Sequence, residues 1–469
     1  MRRLVDAVRE RLDALGIRAP LMMVKGDGSL VSQATALERP VDTVLSGPAA
    51  SVVGACYLSG RDNAVVADMG GTTTDIAVVT AGRPQTRLDG ALVGEWHPMV
   101  ETLSVYSIGL GGDSEVRFSG GEGIGIGPRR VIPMCLLAER YPSVLEVLRS
   151  QDGMGSSQRP GHFAILLYDD PVLVRRLDAD GRRVWEMLKR SAPLAVEQLV
   201  ADDRSAARAL ARLVRQGLAI YSGFTPTDAA HVLGLSEHWN RDAAVLAARI
   251  WARQMRHRYG YGGWVDGDAE GPSRSVLERM TVLVSEALVR TGVRELDGAD
   301  AAPAEELVRF LAGTLGGDGS KVFSVSFNRD YPLLAVGAPA RVFFPDAAKR
   351  LSMVLDVPYH ADVAGAVGSV ASKVVQHVRI TVTQPSQGRF RVHGVEGPRD
   401  FDRLDAALDH ARTEAAATAR ERARAAGAPE PDITVETHEN RVDHDIDGSV
   451  FFEATVRATA TGTPDHWHG

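Results

Sequence analysis

The chain has 469 residues, a formal net charge of −7 and 24% charged residues. This length favours two to four domains with real apolar cores, and the acidic balance gives no overall basic field for nucleic acid or an anionic membrane. No stretch reaches the roughly 18 uncharged apolar residues of a membrane span, and charged residues interrupt the N-terminal region where a signal peptide would be apolar. Two cysteines, Cys56 and Cys135, argue against a disulfide framework and favour a reducing cytoplasm.

The first predicted element is a helix whose apolar residues share one face: Leu4, Val8, Leu12 and Leu15. Gly16 is placed to end this helix. A strand-like run at residues 21–24 follows, and then a turn at residues 26–28. The chain therefore opens with a helix-strand unit, as if it began inside a domain.

Residues 63–79 contain two valine-rich runs that read as buried strands, joined by Asp68-Met69-Gly70-Gly71-Thr72-Thr73-Thr74-Asp75. A sharp turn through glycines exposes backbone N–H groups, which together with threonine hydroxyls can cradle phosphate oxygens. Asp68, at the end of the first strand, is placed to hold a hydrated Mg²⁺ against those phosphates. An ordinary Gly-Gly hairpin with polar residues is the alternative, and the full pattern favours phosphate binding.

A second glycine-rich loop is predicted at residues 109–114, where Asp113 could serve as an acid, a base or a metal-bound carboxylate. The alternative for this loop is a tight turn with a capping aspartate. Farther on, an apolar strand at residues 333–336 leads into Gly337-Ala338-Pro339 and a helix from Ala340. Such a turn lets an adenine-ribose unit lie against the backbone, although similar turns are common in α/β proteins.

Residues 156–224 differ in composition and follow the strand, helix, helix, helix, strand order of a winged helix. The core of this unit is predicted from apolar residues at helical spacing: Trp185, Leu188, Leu210 and Leu213. The third helix carries Arg204, Arg208 and Arg212 on one face. A recognition helix for DNA is one reading of this face, but a solvated face on a docking subdomain is favoured in so acidic a chain.

The remaining sequence is predicted as a helical segment and a C-terminal α+β module. The pattern from 236 to 315 is helical, with an amphipathic helix at residues 276–289. From about 378, alternating strands flank one long helix at residues 404–426. Histidine and acidic residues between 436 and 447 match no standard metal spacing, so a solvated hairpin is favoured there. The histidines at residues 466–468 suggest a loose terminus.

The run from Asp68 to Asp75 resembles the second phosphate-binding hairpin of the sugar-kinase/actin/heat-shock-chaperone superfamily of ATPases, and within it the hydantoinase A/5-oxoprolinase family. Similar stretches follow the family's order at residues 21–30, 43–51, 107–114, 225–234, 335–340 and 357–368. In that family an upstream lobe carries another Asp-Gly-Gly-Thr-like segment, and this sequence has one such segment. The resemblance therefore predicts half of a two-lobed ATPase that lacks the N-terminal lobe.

What the resemblance implies is an actin-like α/β ATPase lobe and ATP-dependent chemistry on a cyclic amide or ketone substrate. The reaction would be ring opening of hydantoin or 5-oxoproline, or carboxylation of a ketone. The A-type chain would phosphorylate a poorly reactive oxygen, with a B-type subunit completing the reaction and a complementing N-terminal lobe supplying the missing hairpin. The sequence after Ile126-Gly127-Pro128 departs from the family's usual Pro-Gly-Pro-Ala-Cys-type stretch, so the resemblance leaves the particular substrate open.

Site roles are also implied by the resemblance. Asp68 would order Mg²⁺, Asp75 would buttress the hairpin, and Asp113 would lie near the acceptor. The residues expected to contact ATP are glycines, threonines and one alanine from three loops: Gly70, Gly71, Thr72, Thr73, Thr74, Gly111, Gly112, Gly337 and Ala338.

The sequence thus predicts an α/β ATPase lobe at residues 1–155 and a winged-helix-like insertion at 156–224. The rest of the lobe follows at 225–377, with the helical segment and the turn predicted to contact adenosine, and an α+β module lies at 378–469. Two other functions remain open. The chain could be a non-catalytic or regulatory nucleotide-binding subunit, or a nucleic-acid-binding regulator that uses the winged-helix unit.

Overall fold

The structure is a computed structural model that describes residues 1–87, 100–153, 161–200, 203–297, 305–314, 326–444 and 448–464. The predictions for residues 156–160, for Asp445 and Asp447 and for 466–468 lie outside the described residues. None of the helices in the described ranges combines the length and apolar character needed to cross a membrane.

The α-helices of the described residues are α1 (Arg2–Ala14), α2 (Gln33–Glu38), α3 (Ser46–Ser59), α4 (Met134–Arg140), α5 (Val144–Gly153), α6 (Pro171–Arg175), α7 (Ala179–Ser191), α8 (Val196–Val200), α9 (Arg204–Arg215), α10 (Pro226–Val232), α11 (Arg241–Tyr259), α12 (Glu270–Asp297), α13 (Glu305–Thr314), α14 (Ala340–Arg350), α15 (Ala364–Ala371) and α16 (Leu404–Ala425). Short 3-10 helices lie at Pro40–Thr43, Gly120–Glu122 and Ala361–Val363.

The strands are β1 (Met22–Val24), β2 (Leu30–Ser32), β3 (Ala64–Met69), β4 (Thr74–Thr80), β5 (Arg83–Pro84), β6 (Thr86–Arg87), β7 (Thr102–Leu103), β8 (Val105–Ile108), β9 (Ser114–Phe118), β10 (Ile124–Arg130), β11 (Ile132–Pro133), β12 (Phe163–Leu166), β13 (Leu194–Ala195), β14 (Ala219–Gly223), β15 (Leu333–Val336), β16 (Leu355–Asp356), β17 (Val374–Ser386), β18 (Arg389–Gly394), β19 (Gly397–Phe401), β20 (Asp432–His444) and β21 (Gly448–Gly462). Helices and strands are interspersed along the chain, and the predicted α/β fold is confirmed.

The chain forms two compact units. The terminal unit comprises Met1–Tyr57, Pro84–Ser104 and Ala364–Gly469, and the central unit comprises Leu58–Arg83 and Val105–Val363. Contacts thus group the two ends of the chain together. The four segments drawn from the sequence follow the chain instead, and that division stays a prediction.

The central unit is built on a sheet in which β16, β15, β3 and β4 lie side by side and β8 also pairs with β4. The β15 strand runs parallel to β3 and to β16, whereas β4 is antiparallel to β3 and to β8. The β3 and β15 strands are buried almost throughout, which explains their continuous apolar sequences. This sheet packs into a core with α4, α10, α11, α12 and α14.

Between β12 and β14 the inserted segment contains three helices as predicted, α7, α8 and α9, and in addition the short helix α6 before α7 and the two-residue strand β13 between α7 and α8. The β12 and β14 strands pair directly, and the sheet order is β11-β14-β12-β13. The predicted core residues Trp185, Leu188, Leu210 and Leu213 are all buried in one apolar cluster. On the basic face of α9, Arg212 lies 2.8 Å from a carboxylate oxygen of Asp178, so part of its charge is neutralised within the unit.

In the terminal unit, an antiparallel sheet of order β19-β18-β17-β21-β20 carries α16 on one face. The helix buries a row of small side chains at every fourth position: Ala407, Ala411, Ala415, Ala419 and Ala423. Apolar residues of β17 and β21 complete this core, together with Leu30, Val31 and Ala36 from the start of the chain.

The helix predicted at the N-terminus is present as α1, and Gly16 follows it with a positive φ of 73°. Val5 is the buried residue of this helix, whereas Leu4, Val8 and Leu15 are exposed. The amphipathic helix predicted at residues 276–289 is the middle of the longer α12, which extends from Glu270 to Asp297.

Candidate functional site

Four neighbouring strands of the central sheet, β15, β3, β4 and β8, place residues from separate parts of the sequence side by side. Asp68 of β3 is the register partner of Val336 in β15 and of Asp75 in β4. Asp75 is in turn the partner of Ser107 in β8. Three loops therefore meet at this end of the sheet: the turn after β3, the loop after β8 and the loop after β15.

The turn between β3 and β4 is closed by a hydrogen bond of 3.0 Å from the Gly70 N–H to the carbonyl oxygen of Thr73. Among the described residues, no backbone acceptor contacts the N–H groups of Gly71, Thr72 and Thr73. Successive backbone N–H groups of this kind can bind an anion. The Gly70 N–H, by contrast, is used within the turn.

The loop after β8 binds the back of this turn. The N–H groups of Gly112 and Asp113 donate to the carbonyl oxygens of Gly70 and Gly71 at 3.2 and 2.8 Å. A Cβ atom at Gly111 would lie 2.5 Å from the carbonyl carbon of Gly71, so a larger residue would separate the two loops. The N–H groups of Gly112 and Asp113 therefore position the turn and are not spare donors for a phosphate.

Thr74 differs from the neighbouring threonines. Its side chain is fully buried, and its hydroxyl donates to the carbonyl oxygen of Leu110 at 2.7 Å. This hydroxyl is thus committed to the loop after β8. Thr72 and Thr73 lie in the turn itself, where Thr73 also reaches Asp75 at 3.5 Å.

The loop after β15 approaches Asp68. Gly337 has a φ of 95°, its N–H donates to Ala361 at 2.8 Å, and a Cβ atom on it would lie 2.7 Å from Oδ1 of Asp68. Glycine is required here because both the backbone conformation and the space exclude a side chain. Ala338 follows as an exposed residue, so the structure brings both predicted residues to the end of the sheet that carries the hairpin.

Asp75 is held by hydrogen bonds from the hydroxyls of Ser107 and Thr73. Burial raises the pKa of the Asp75 carboxyl, the hydrogen bond from Ser107 opposes this rise, and the negative charge of Asp68 adds to it. Asp68 and Asp75 are thus two carboxylates close enough to repel each other. This arrangement agrees with a buttressing position for Asp75.

Asp113 lies directly after the second glycine loop, with an oxygen 3.4 Å from a guanidinium nitrogen of Arg130. Burial raises the pKa of the Asp113 carboxyl, whereas the charge of Arg130 and its hydrogen bond lower it. The carboxyl therefore holds its proton to a higher pH than an exposed aspartate does.

Asp228 is a functional candidate for which sequence reasoning gave no role. It is fully buried, and its carboxylate accepts hydrogen bonds from the N–H groups of Met134 at 3.1 Å and Cys135 at 2.8 Å, and from the N–H and hydroxyl of Thr225 at 3.0 and 2.8 Å. It thus satisfies the N-termini of both α4 and α10. The Thr-x-x-Asp spacing of a capping box was the signal that could have identified it.

The N-terminus of α10 also binds the glycine-rich loop after β8. The backbone N–H and the hydroxyl of Thr227 both donate to the carbonyl oxygen of Gly112, at 3.0 and 2.8 Å. A Cβ atom on Gly112 would lie 2.6 Å from that hydroxyl oxygen. Asp228 therefore supports the loop indirectly, by fixing the helix end that carries Thr227.

No group of three or more His, Cys, Asp and Glu side chains in the described ranges is arranged to hold a metal ion. Mg²⁺ does not need such a cluster, because it is commonly held by one or two carboxylates together with phosphates and water. Asp68 and Asp75 are register partners on adjacent strands, and a hard divalent cation would offset the repulsion between their carboxylates.

Part of the sequence is similar to known proteins. Residues 1–133 match the sequence profile of the Hydantoinase/oxoprolinase family. The chain is 30% identical over 132 residues to caprolactamase subunit alpha of Pseudomonas jessenii, covering 28% of this chain and 19% of that protein. It is 27% identical over 130 residues to the acetophenone carboxylase gamma subunit of Aromatoleum aromaticum (strain DSM 19018 / LMG 30748 / EbN1), covering 27% of this chain and 17% of that protein.

The structural likeness extends much farther along the chain than the sequence likeness. A nucleotide-free structure of acetone carboxylase, from work on ATP-dependent acetone carboxylation, superposes on 98% of this chain with a TM-score of 0.52 and 15% identity. This chain covers 55% of that one, and less than a fifth of each sequence relative.

The protein is thus of the α/β class, with a fold shared with acetone carboxylase. Its residues 1–133 match the model of the hydantoinase/oxoprolinase family, and the resemblance predicted from the sequence is confirmed.

Proposed function

We propose that this chain is the A-type subunit of an ATP-dependent enzyme of the hydantoinase/oxoprolinase kind, which activates a cyclic amide or a related carbonyl compound by phosphoryl transfer. The observation that carries the proposal is the meeting of three loops at one end of the central sheet. In the turn, the N–H groups of Gly71, Thr72 and Thr73 have no backbone acceptor among the described residues. Asp68 lies at the end of the strand before the turn, and Gly337 brings a third loop against Asp68.

The N–H groups of Gly71, Thr72 and Thr73 would bind the β- and γ-phosphate oxygens, as backbone amides do in other phosphate sites. Mg²⁺, held by Asp68 through water, would neutralise phosphate charge. Gly337 and Ala338 would contact the nucleoside. The hydroxyl of Thr74 and the backbone N–H groups of Gly112 and Asp113 would keep the turn in place rather than touch the nucleotide.

Asp113 would act near the acceptor as a base: it would take the proton that the substrate loses from its amide nitrogen or its α-carbon, while the carbonyl oxygen accepts the phosphoryl group and ADP leaves. Its raised pKa suits this role, because a base whose pKa is closer to neutral accepts a proton more readily. The charge of Arg130, beside it, favours the ionised carboxyl and would also face the developing negative charge.

The nature of the substrate and partner follows from the relatives by analogy. One relative is named for a lactam and the other for a ketone, and each is named as a subunit. Both compounds contain a carbonyl oxygen that reacts poorly until it is phosphorylated. We therefore propose a cyclic amide or ketone as the substrate and a second, B-type subunit as the partner that completes the reaction.

The decisive experiment is calorimetric titration of the chain with Mg·ATP, comparing wild type with Asp68→Ala. We expect Asp68→Ala to abolish measurable binding, because loss of the carboxylate removes the group that positions the metal on the phosphates. Asp346→Ala is the matched control, since Asp346 is an exposed residue of α14 and its loss makes the same change in net charge.

Equal Mg·ATP affinity in wild type and Asp68→Ala would refute the assignment of the hairpin. If binding is lost as expected, phosphate release should next be measured with the partner subunit and with 5-oxoproline or hydantoin, in their presence and absence. Substrate-stimulated release would support the enzyme subunit. Nucleotide binding without any stimulated release would favour the regulatory subunit instead.

A further inference from the structure

A cavity of about 230 Å³ lies in the central unit and is lined by residues outside the three loops of the proposed nucleotide site. Its walls come from the β9–β10 hairpin, from β14 and from α11. The side chains that decide its chemistry are Glu115, Arg117, Arg129, Tyr221, Trp251 and Arg258. None of the residues proposed to bind ATP lines it.

The charged side chains of the cavity give it an excess of positive charge. Three arginines face a single carboxylate among its described lining residues, and Glu115 is already paired with Arg129 at 3.4 Å. Arg117 uses its Nε to donate to the carbonyl oxygen of Gly127 at 3.2 Å, which fixes the guanidinium on its strand. Guanidinium groups bind carboxylates through paired hydrogen bonds, so this lining suits an anion.

The other walls are flat and aromatic. Phe118 and Tyr259 stack with their ring centroids 4.5 Å apart, and the guanidinium of Arg129 lies 5.9 Å from the ring centroid of Tyr221. Trp251 is fixed by a hydrogen bond of 3.3 Å from its indole nitrogen to the carbonyl oxygen of Val116. Rings and guanidinium planes held in this way favour a flat ligand group over a bulky one.

We propose that this cavity is a binding site for a small planar carboxylate. The carboxylate group lies against Arg117 and Arg129, and the planar part lies between the aromatic side chains. The site belongs to the central unit and does not depend on the nucleotide assignment. It is a second ligand site of this chain.

The probe for this proposal is 4-fluorobenzoate, with binding followed by fluorine NMR on the whole chain. We expect wild type to bind it, and Arg117→Gln/Arg129→Gln to bind it at least about tenfold more weakly, because each change removes a charge-assisted hydrogen bond. Arg149→Gln, an exposed arginine of α5 outside the cavity, is the matched control and should bind as wild type does. Equal thermal unfolding midpoints show that the variants are folded.

Two further ligands test the two halves of the proposal. Neutral 4-fluorobenzamide tests the need for charge, and 4-fluorocyclohexanecarboxylate tests the need for a flat group; both should bind at least about tenfold more weakly than 4-fluorobenzoate. Saturating Mg·ATP should leave 4-fluorobenzoate bound. Failure of wild type to bind 4-fluorobenzoate, equal binding by the double variant or by either test ligand, or displacement by Mg·ATP would each overturn the proposal.

Discussion

The two glycine-rich loops at the end of the central sheet are held in place by different means. The turn between β3 and β4 closes on itself, through a hydrogen bond between Gly70 and Thr73 three residues apart. The loop after β8 is held from behind by Thr227, which lies 115 residues farther along the chain than Gly112. The turn is therefore closed by a local hydrogen bond and then positioned by the loop after β8, whereas the loop after β8 is itself held by a residue distant in sequence.

This difference separates two kinds of mutation. In the turn, Asp68 faces the proposed ligand, and its replacement should change binding more than stability. Behind the second loop, Asp228 and Thr227 face the protein, and their replacement should change stability first and binding as a result. Replacement of Asp68 tests the first kind of mutation, and replacement of Asp228 or Gly111 tests the second.

The largest effect is expected for Asp228→Asn. Both carboxylate oxygens of Asp228 accept hydrogen bonds from buried donors, and an amide NH₂ would place a donor against at least one of them. We expect a loss of about 3–5 kcal/mol in the free energy of unfolding, as for other broken buried networks. Urea unfolding of wild type and variant measures this loss.

The control for that experiment is Asp346→Asn, a change of the same chemistry at an exposed site of α14. It should alter the free energy of unfolding by less than about 0.5 kcal/mol. If Asp228→Asn were as stable as this control, the buried carboxylate would not be the support of α4 and α10 that the structure indicates.

A smaller effect is expected for Gly111→Ala. The added methyl group would lie 2.5–2.6 Å from backbone atoms of Gly70 and Gly71, so the two loops must move apart. We expect a loss of about 1–3 kcal/mol in the free energy of unfolding, typical of overpacking, together with weaker Mg·ATP binding. Gly121→Ala is the matched control, because its added methyl group meets no atom within 4 Å; equal stability of the two variants would contradict the close approach of the loops.

The smallest effect is expected for Arg130→Gln, and it concerns pH. Arg130 lowers the pKa of Asp113, whose net shift is upward because of burial, so removing the guanidinium should raise that pKa further. Since a base works in its ionised form, the acidic limb of the activity profile should move to higher pH. Protonated Asp113 contributes its full stability below the pKa that it has in the unfolded chain, and this stability is lost as pH rises through its pKa in the folded protein. Because Arg130→Gln raises the pKa in the folded protein, the loss of stability should also move to higher pH.

Carbon NMR of the Asp113 carboxyl measures this pKa directly, without relying on activity. Arg140→Gln, at an exposed residue that ends α4, is the control and should leave the titration of Asp113 unchanged. An unchanged pKa of Asp113 in Arg130→Gln would show that Arg130, at 3.4 Å, does not affect the ionisation of Asp113.

The sequence predicts the turn at residues 68–75 well because its glycines, threonines and aspartates are contiguous and their chemistry is local. The same is true of α16 and of the apolar strands β3 and β15. The Thr-x-x-Asp spacing could indicate Asp228 as the cap of α10, but not its contact with the N-terminus of α4, since its partner Cys135 lies 93 residues away. Nor could Ser107 be recognised as the partner of Asp75, because strand pairing across 32 residues creates that contact.

Helix bounds show the same limit. The amphipathic pattern predicts a helix at residues 276–289, but α12 begins at Glu270 and continues through Gly271 and Pro272. Proline is tolerated in the first turn of a helix because its missing N–H has no partner there. The periodic pattern of apolar residues identifies the buried face of a helix, but it does not show where the helix begins and ends.

The alanine row of α16 makes this helix nearly independent of the sheet beneath it. The helix has 22 residues rich in alanine and arginine, which have high intrinsic helix propensity. It exceeds the about 12–15 residues below which isolated helices are marginal. Such a segment can become helical in roughly a microsecond, whereas pairing β17 with β21 requires residues some eighty positions apart to meet. The first structure to form in the terminal unit is therefore expected to be α16, which then offers its methyl groups as the surface on which the strands assemble.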